Sequence, residues 1–297
     1  MTEQTDQLFQ KACLLQMTTS IWQASKSIDS KMLTHLGPNS EWVKGRKHLI
    51  NPELLGQIKT AVHQARNKVQ KYALPFPLQS VHLVPKESIQ DVEDILKHYE
   101  SRFWHGVHEL ETVYASAREE AKTVLGELFD ENDYPENIES KFKFTWQFLA
   151  LQVPGQTTIL PPEIYEREKQ KFQNMVEETR RLSIQALRTE FQSILHNLVE
   201  KLQGNGGRQK IISNQMFHKL NDFLDSLERK NLFQDEELDN LANQARETIQ
   251  NVSPSSLKYN SELREAIREE MQTLKSTVEE SITDMPRRQL TLETEAN

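Results

Sequence analysis

Hydrophobic and polar residues alternate strictly in one segment of this chain, whereas elsewhere the apolar residues recur at helical spacing. Phe142, Phe144, Trp146 and Phe148 occupy every second position, with lysine, threonine and glutamine between them. Alternation of this kind is typical of a strand that buries one face. We therefore predict a strand over residues 142–153. We expect its aromatic face to be a buried anchor of the fold rather than an exposed platform that stacks bases.

Two long helices are predicted on either side of this strand. Apolar residues recur at steps of three and four over about 86–129 and again from 162 to about 203, which is the spacing of a helix with one buried stripe. Each helix would be roughly 60 Å long at a rise of 1.5 Å per residue. Their similar lengths and the short β segment between them predict an antiparallel, coiled-coil-like helical hairpin.

Two shorter segments, 15–22 and 81–84, complete a predicted sheet of three strands at one end of this hairpin. Apolar residues alternate with polar ones up to Trp22, which favours a strand, although the same run also fits a short helix. Trp22 is expected to join the aromatic anchor. The predicted fold class is therefore mostly α (α+β), elongated, with a small sheet at one end.

Shorter helices are predicted in most of the remaining chain. One begins at Asn51, because asparagine caps a helix well and Pro52 suits its first turn. The predicted shorter helices are 3–14, 52–72, 208–231, 235–251 and 256–283. The last three are expected either to pack along the long helices or to project as an arm. The predicted organisation is N-terminal helices plus sheet over 1–160, the long helix and C-terminal arm over 161–283, and a disordered tail over 284–297.

Composition and charge narrow the function classes. The 297 residues are 36% hydrophobic and carry a net charge of −8, a balance suited to amphipathic helices with much exposed surface. The first 80 residues carry +5 and the remainder −13, so the body of the chain is a poor general binder of nucleic acid. No apolar run approaches the ~20 residues of a membrane span, and the polar N-terminus predicts a cytoplasmic protein. The single Cys13 excludes an intramolecular disulfide and favours a packing role.

Few residues have the spacing of a functional site. Arg46, Lys47 and His48 lie in a segment without clear periodicity, so they are a candidate contact for an anion or a partner, although an ordinary exposed loop is the favoured reading. The glycines of 204–207 fit a helix C-cap better than a phosphate loop. His98, His105, His108 and Glu109 share helical spacing, but the last three fall opposite the apolar stripe. We therefore predict no metal, cofactor or catalytic residue.

Three short motifs carry a resemblance to a known family. They are Leu14 to Trp22 (LLQMTTSIW), Gly45 to Glu53 (GRKHLINPE) and Phe142 to Gln147 (FKFTWQ). Over about residues 14–200 the chain resembles a bacterial and phage domain-of-unknown-function family. Genes of that family are commonly found beside those for MoxR-type AAA+ ATPases and von Willebrand factor A-domain proteins. The resemblance implies a helical companion of such an ATPase system and supplies no catalytic residue.

The leading hypothesis is therefore a non-enzymatic helical adaptor or assembly protein that acts with an AAA+ ATPase and a von Willebrand A-domain partner. An acidic helical body suits a basic groove on such a partner. One alternative is a nucleic-acid-associated phage or bacterial protein that uses the basic N-terminal part, and salt-dependent binding to DNA or RNA would favour it. Another is a self-associating virion or scaffold component, for which concentration-dependent oligomers would be the signature.

Overall fold

A computed structural model describes residues 8, 10–28, 44–150, 161–203 and 215–284 of the chain. This part is mostly helical with small β elements, as the sequence predicts. The strands are β1 (Ala12–Ser20), β2 (Ser25–Ser27), β3 (Arg46–His48), β4 (Leu74–Pro75), β5 (Val81–Pro85) and β6 (Lys143–Leu149). The helices are α1 (Gly56–Gln70), α2 (Ile89–Leu125), α3 (Pro162–Gln203), α4 (Gln215–Lys230), α5 (Glu236–Ile249), α6 (Pro254–Tyr259) and α7 (Ser261–Thr283).

Several predictions fall outside the described residues. They are the first part of the helix over 3–14, the end of the aromatic strand at 151–153, the glycine turn at 204–207 and the tail from 285 onward. The end predicted for the first helix is wrong, because the described helical residues, Leu8, Gln10 and Lys11, are followed by β1 from Ala12 onward. Leu15 and Met17 alternate with polar residues and lie in a strand, which confirms the strand predicted for this segment over the alternative of a short helix.

The chain divides into two compact units. The first, which we call the sheet unit, consists of Cys13–Ala73 and Ser80–Ala150. The second, which we call the helical unit, consists of Met1–Ala12, Leu74–Gln79 and Leu151–Asn297.

The main sheet has four strands in the order β4-β5-β1-β6, so the expected count of three is wrong. β1 and β6 are antiparallel, with Leu15 opposite Phe148 and Ser20 opposite Lys143. β5 lies on the other side of β1 and is therefore not a neighbour of β6 in the sheet. The additional strand is β4, whose two residues, Leu74 and Pro75, are too few to show any alternation in the sequence.

A second, two-stranded sheet lies in the segment around residues 25–48 that has no clear periodicity in the sequence. β2 and β3 pair antiparallel, with Lys26 directly opposite Lys47. Each strand has three residues, which again is too short for a periodic pattern to appear. We call this pair the basic ribbon. It places the candidate contact residues of 46–48 on a strand rather than in a loop.

The core of the sheet unit lies where α1 and α2 pack together and against β6. Asn51 caps the 3₁₀ turn Pro52–Leu55 that leads into α1, and its Oδ1 accepts from the amide of Glu53 at 3.0 Å. The helix start predicted at this asparagine is thereby confirmed. Gly106 on α2 faces Ile58 on α1, and a Cβ there would lie 3.0 Å from Ile58 Cγ1. The missing side chain therefore permits the close approach of the two helices.

The predicted apolar stripe of α2 is buried along most of its length. Short 3₁₀ turns flank the helix at Lys86–Ser88 and Gly126–Leu128, so the element nearly fills the predicted range 86–129. Gly126 ends it with a φ of +50°, a conformation that glycine adopts readily. Its buried residues include Val92, Leu96, Tyr99, Phe103, Val107, Leu110, Tyr114, Ala117 and Ala121.

The helical unit is organised around α3, which packs mainly against α7 and also against α4. α5 and α6 pack against α7 in turn, so the C-terminal helices lie along the long helix rather than projecting from it. The predicted hairpin of α2 with α3 is not confirmed, because each of these helices has its main partner within its own unit. In the described residues, no helix has the length and apolar character needed to cross a membrane.

Candidate partner-binding surfaces

The basic ribbon is held by a single carboxylate. Lys26 and Lys47 are directly opposite each other, and like charges in this arrangement repel. Asp133, from the 3₁₀ turn Glu131–Asp133, lies against both: one carboxylate oxygen accepts from Lys26 Nζ and the other is 2.6 Å from Lys47 Nζ. Lys47 also donates to the carbonyl oxygen of Leu128 at 2.5 Å. The ribbon is thereby fixed to the chain that follows α2.

The charge state of Asp133 follows from these contacts. Its side chain is only 2% exposed, and burial by itself would raise the pKa of the carboxyl group. The hydrogen bonds from Lys26 and Lys47 outweigh burial, so the pKa of Asp133 lies below its ordinary value. The carboxylate is therefore ionised at neutral pH and neutralises part of the positive charge of the ribbon.

Arg46, Lys47 and His48, the three predicted contact residues, therefore differ in how accessible they are to an anion or a partner. Lys47 is only 10% exposed and is already paired inside the protein, so it is poorly placed to meet a phosphate. Arg46 is exposed, but its Nη2 donates to Ser25 Oγ at 2.9 Å across the ribbon. His48 is exposed at the opposite end of β3. The prediction that these residues contact an anion or partner stays a prediction, with Arg46 and His48 as its accessible members.

An aromatic layer lies beside the turn that carries Asp133. The Arg118 guanidinium lies 5.7 Å from the ring centre of Tyr114 and 5.6 Å from that of Tyr134, distances at which a cation is attracted to a ring. Tyr114 also donates its hydroxyl to the carbonyl oxygen of Pro135 at 3.0 Å. The predicted anchor Trp22 meets Tyr114 edge-on, with ring centres 5.9 Å apart. This layer fixes the turn to α2.

The aromatic row of β6 is graded in its burial. Phe142 and Phe144 are buried and pack around Phe103 of α2, whereas Trp146 and Phe148 are only partly buried. The indole Nε1 of Trp146 donates to Glu93 Oε2 of α2 at 2.7 Å. That hydrogen bond is the main cause that lowers the pKa of Glu93.

A groove of about 530 Å³ runs along α3 in the helical unit. Most of its lining is one face of the helix over three turns, because its residues are spaced by three or four positions. The lining residues are Pro75, Leu182, Gln185, Ala186, Thr189, Glu190 and Ser193. Its surface is mainly apolar, and its one ionisable group, Glu190, accepts from the buried Lys230 of α4 at 2.8 Å. No motif or periodic pattern in the sequence indicates this surface.

An ion-pair network supports the same region of the helical unit. Arg188 of α3 contacts both carboxylate oxygens of Asp235 at 2.8 Å and also Glu237 at 2.7 Å. Asp235 caps α5 as well, since its Oδ1 accepts from the amide of Leu238. The network links α3 to the start of α5, so it fixes the helix whose face forms the groove.

Comparison with known protein families identifies the chain's relatives. The model of a family described as proteins of unknown function, DUF3150, matches residues 9–247. The chain belongs to the DUF3150 family. No curated protein and no solved structure matches it. For this DUF3150 protein, the resemblance to a domain of unknown function is confirmed, while the association with MoxR-type ATPases and von Willebrand A-domain proteins stays a prediction.

Two histidines of α2 in the DUF3150 protein pair with glutamates on the helix surface. His105 Nε2 lies 3.3 Å from Glu109, and His108 Nδ1 lies 3.7 Å from Glu111. Both pairs are well exposed. Within the described ranges, no group of three or more histidine, cysteine, aspartate or glutamate side chains is arranged to hold a metal ion.

Proposed function

We propose that the DUF3150 protein is a non-enzymatic helical adaptor or assembly protein that acts in the cytoplasm of a bacterium or a phage-infected cell. Its proposed partners are a MoxR-type AAA+ ATPase and a von Willebrand factor A-domain protein. The observation that carries the proposal is the open groove along α3. A groove formed by one helix face over several turns suits a partner helix, which would place its own apolar stripe there.

The chemistry of the groove defines the helix that would occupy it. Leu182 and Ala186 supply its apolar floor, and Ala186 leaves space for a larger aliphatic side chain of the partner. Thr189 and Ser193 are exposed and offer hydroxyl groups to a polar flank. The carboxylate of Glu190 remains 41% exposed despite its bond to Lys230. An amphipathic helix with an aliphatic stripe and one flanking lysine or arginine therefore fits best.

Net charge supports the same class of partner. Residues 81–297, which include the whole of α3, carry −13. A basic surface on the ATPase or on the A-domain protein would be attracted over a distance of about 10 Å at moderate ionic strength. Binding is therefore expected to weaken as salt is raised, while the apolar contact in the groove persists.

Co-purification with a MoxR-type AAA+ ATPase and a von Willebrand factor A-domain protein from the same genome tests the proposal. The variants A186R and S193R each place a long charged side chain in the groove and are expected to abolish capture of the partner. Q173R adds the same side chain at an exposed position of α3 outside the groove and is the matched control. Helicity and thermal unfolding of each variant establish that the unit is folded. Failure of the unmodified protein to bind either partner would refute the proposal.

A further inference from the structure

The outer edge of β6 carries main-chain groups that point away from the sheet. Met17 of β1 donates its amide to the carbonyl oxygen of Ser80, on the β5 side, at 3.3 Å. In an antiparallel pair the N–H and C=O of one residue point to the same side. Met17 therefore exchanges no bond with Trp146, the residue opposite it. Trp146 and its alternate neighbours, Phe144 and Phe148, direct their N–H and C=O groups outward.

This edge lacks the devices that usually prevent strand pairing. β6 has seven residues in unbroken register with β1, contains no proline or glycine, and has one charged residue, Lys143, at its start. Among the described residues, no main-chain group hydrogen-bonds to its outer side. The strand at the other end of the sheet order, β4, has two residues and includes Pro75. Short edge strands and prolines are common protections, so of the two described edges of this sheet the β6 edge is the one suited to accept another strand.

We propose that a second copy of this chain pairs with β6 through the outer edge, antiparallel and about a two-fold axis at Trp146. In this register Trp146 lies opposite the partner's Trp146, and Phe144 lies opposite the partner's Phe148. Each outward-facing residue then meets an outward-facing residue, and each such pair exchanges two hydrogen bonds. The contact is isologous and closes as a dimer.

The side chains of β6 favour a second copy over an unrelated peptide. The run from Phe144 to Phe148 reads aromatic, polar, aromatic, polar, aromatic, so it is symmetric about Trp146. A two-fold axis perpendicular to the sheet keeps the aromatic side chains of both copies on one face, where Trp146 and Phe148 are still partly exposed. Lys143 lies opposite the partner's Leu149, so no like charges meet. Aromatic pairs across strands are among those that stabilise a sheet.

Two variants with changes at the same positions test this register. Thr145 and Gln147 are exposed on the face of the sheet away from the aromatic side chains. In the proposed register, Thr145 of one copy pairs with Gln147 of the second copy, and Gln147 pairs with Thr145. T145K/Q147K places lysine opposite lysine twice, whereas T145K/Q147E places lysine opposite glutamate twice. Both variants lose the bond from Gln147 Nε2 to Gln16 Oε1, so their monomers lose the same contact.

Sedimentation velocity of the full chain over a range of concentrations gives the result. We expect the unmodified protein and T145K/Q147E to dimerise, and T145K/Q147K to dimerise about tenfold more weakly or not at all. The difference between the two variants should shrink at ~1 M salt. If the unmodified protein is monomeric at every concentration, the proposal is wrong. This holds even if β6 is then found to bind an extended peptide. Equal dimerisation of the two double variants would overturn it as well.

Disulfide formation provides a second measurement that depends on the same register and adds one exposed cysteine to each copy of a chain that lacks Cys13. In a C13A background, T145C and Q147C are expected to cross-link when the two proteins are mixed under oxidising conditions. Each cysteine variant alone should cross-link less than the mixture, because position 145 of one copy pairs with position 147 of the second copy and not with position 145. Paired strands bring such residues within the Cα separation that a disulfide requires, about 4.4–6.8 Å. Absence of the mixed product in folded protein contradicts the proposal.

Discussion

Replacement of Asp133 by asparagine is expected to loosen the basic ribbon while leaving the rest of the fold in place. The change preserves the shape of the side chain but removes the charge that faces Lys26 and Lys47. Breaking a buried ion pair by removing one partner costs about 3–5 kcal/mol. Lys26 is 55% exposed and can be hydrated, and the carbonyl oxygen of Leu128 still accepts from Lys47. We therefore expect a loss of about 2 kcal/mol, less than that range.

Amide hydrogen exchange is the suitable assay, because a chain of two compact units need not unfold in one step. A loss of about 2 kcal/mol corresponds to roughly thirtyfold faster exchange of the ribbon amides. We expect this acceleration in β2 and β3 and little change in α3. E127Q removes the same charge from an exposed carboxylate close to the same turn and is the control.

The pH dependence of the effect has a defined direction. Because folding lowers the pKa of Asp133, its contribution is present at pH values above the unfolded pKa, near ~4. The contribution is lost as the pH falls through the folded pKa. The difference in exchange between D133N and the unmodified protein should therefore narrow as the pH falls below ~4. Equal protection of the ribbon in both proteins at neutral pH would refute the reasoning, as would a difference that persists in acid.

Three further substitutions test the packing of the two units. G106A places a Cβ 3.0 Å from Ile58 Cγ1, and the free energy of unfolding of the sheet unit, measured by amide exchange in α1 and α2, should fall by about 1–2 kcal/mol. F103A removes a fully buried ring between α2 and β6 and should cost about 3–5 kcal/mol in the same assay. R188M leaves the buried carboxylate of Asp235 without its cation and should destabilise α5 by about 3 kcal/mol, measured by amide exchange.

Each of these three predictions has a control variant or an outcome that would contradict it. An added methyl group normally favours a helix by about 1 kcal/mol over glycine, so a stabilised G106A would show that α1 and α2 accommodate the Cβ. V113A alters an exposed position of the same helix and should have a much smaller effect than F103A. R180M removes an exposed arginine from α3 and is the control for R188M. Equal effects of the two arginine changes would contradict a buried network at Arg188.

Periodic elements were predictable from sequence because their signal repeats over many residues. The stripe of α2 recurs for ten turns, so a single exception does not obscure the helical period. The aromatic strand was predictable for the same reason, because aromatic residues at every second position from Phe142 to Phe148 have the period of a strand. The cap at Asn51 follows from local chemistry and could also be predicted.

The surfaces were harder to predict because they depend on contacts between distant residues. From the sequence, Lys47 is expected to be an unpaired cation. In the structure it pairs with Asp133, which lies 86 positions later, and no local sequence pattern links the two residues. The strands β2, β3 and β4 have two or three residues each, fewer than an alternating pattern requires. The groove of α3 is the part of a helix face that the other described helices do not cover, whereas hydrophobic periodicity in the sequence indicates only the covered part.

The two proposals predict a combined effect on binding. A dimer that forms through β6 carries two copies of the α3 groove, so an oligomeric partner would be bound twice and held more tightly than by one groove. T145K/Q147K should then reduce the affinity for an oligomeric partner but leave the affinity for a single-site helical peptide unchanged. T145K/Q147E should preserve both. If T145K/Q147K weakened the peptide as strongly as the oligomer, its effect would reach the groove itself, and dimerisation would not explain the loss.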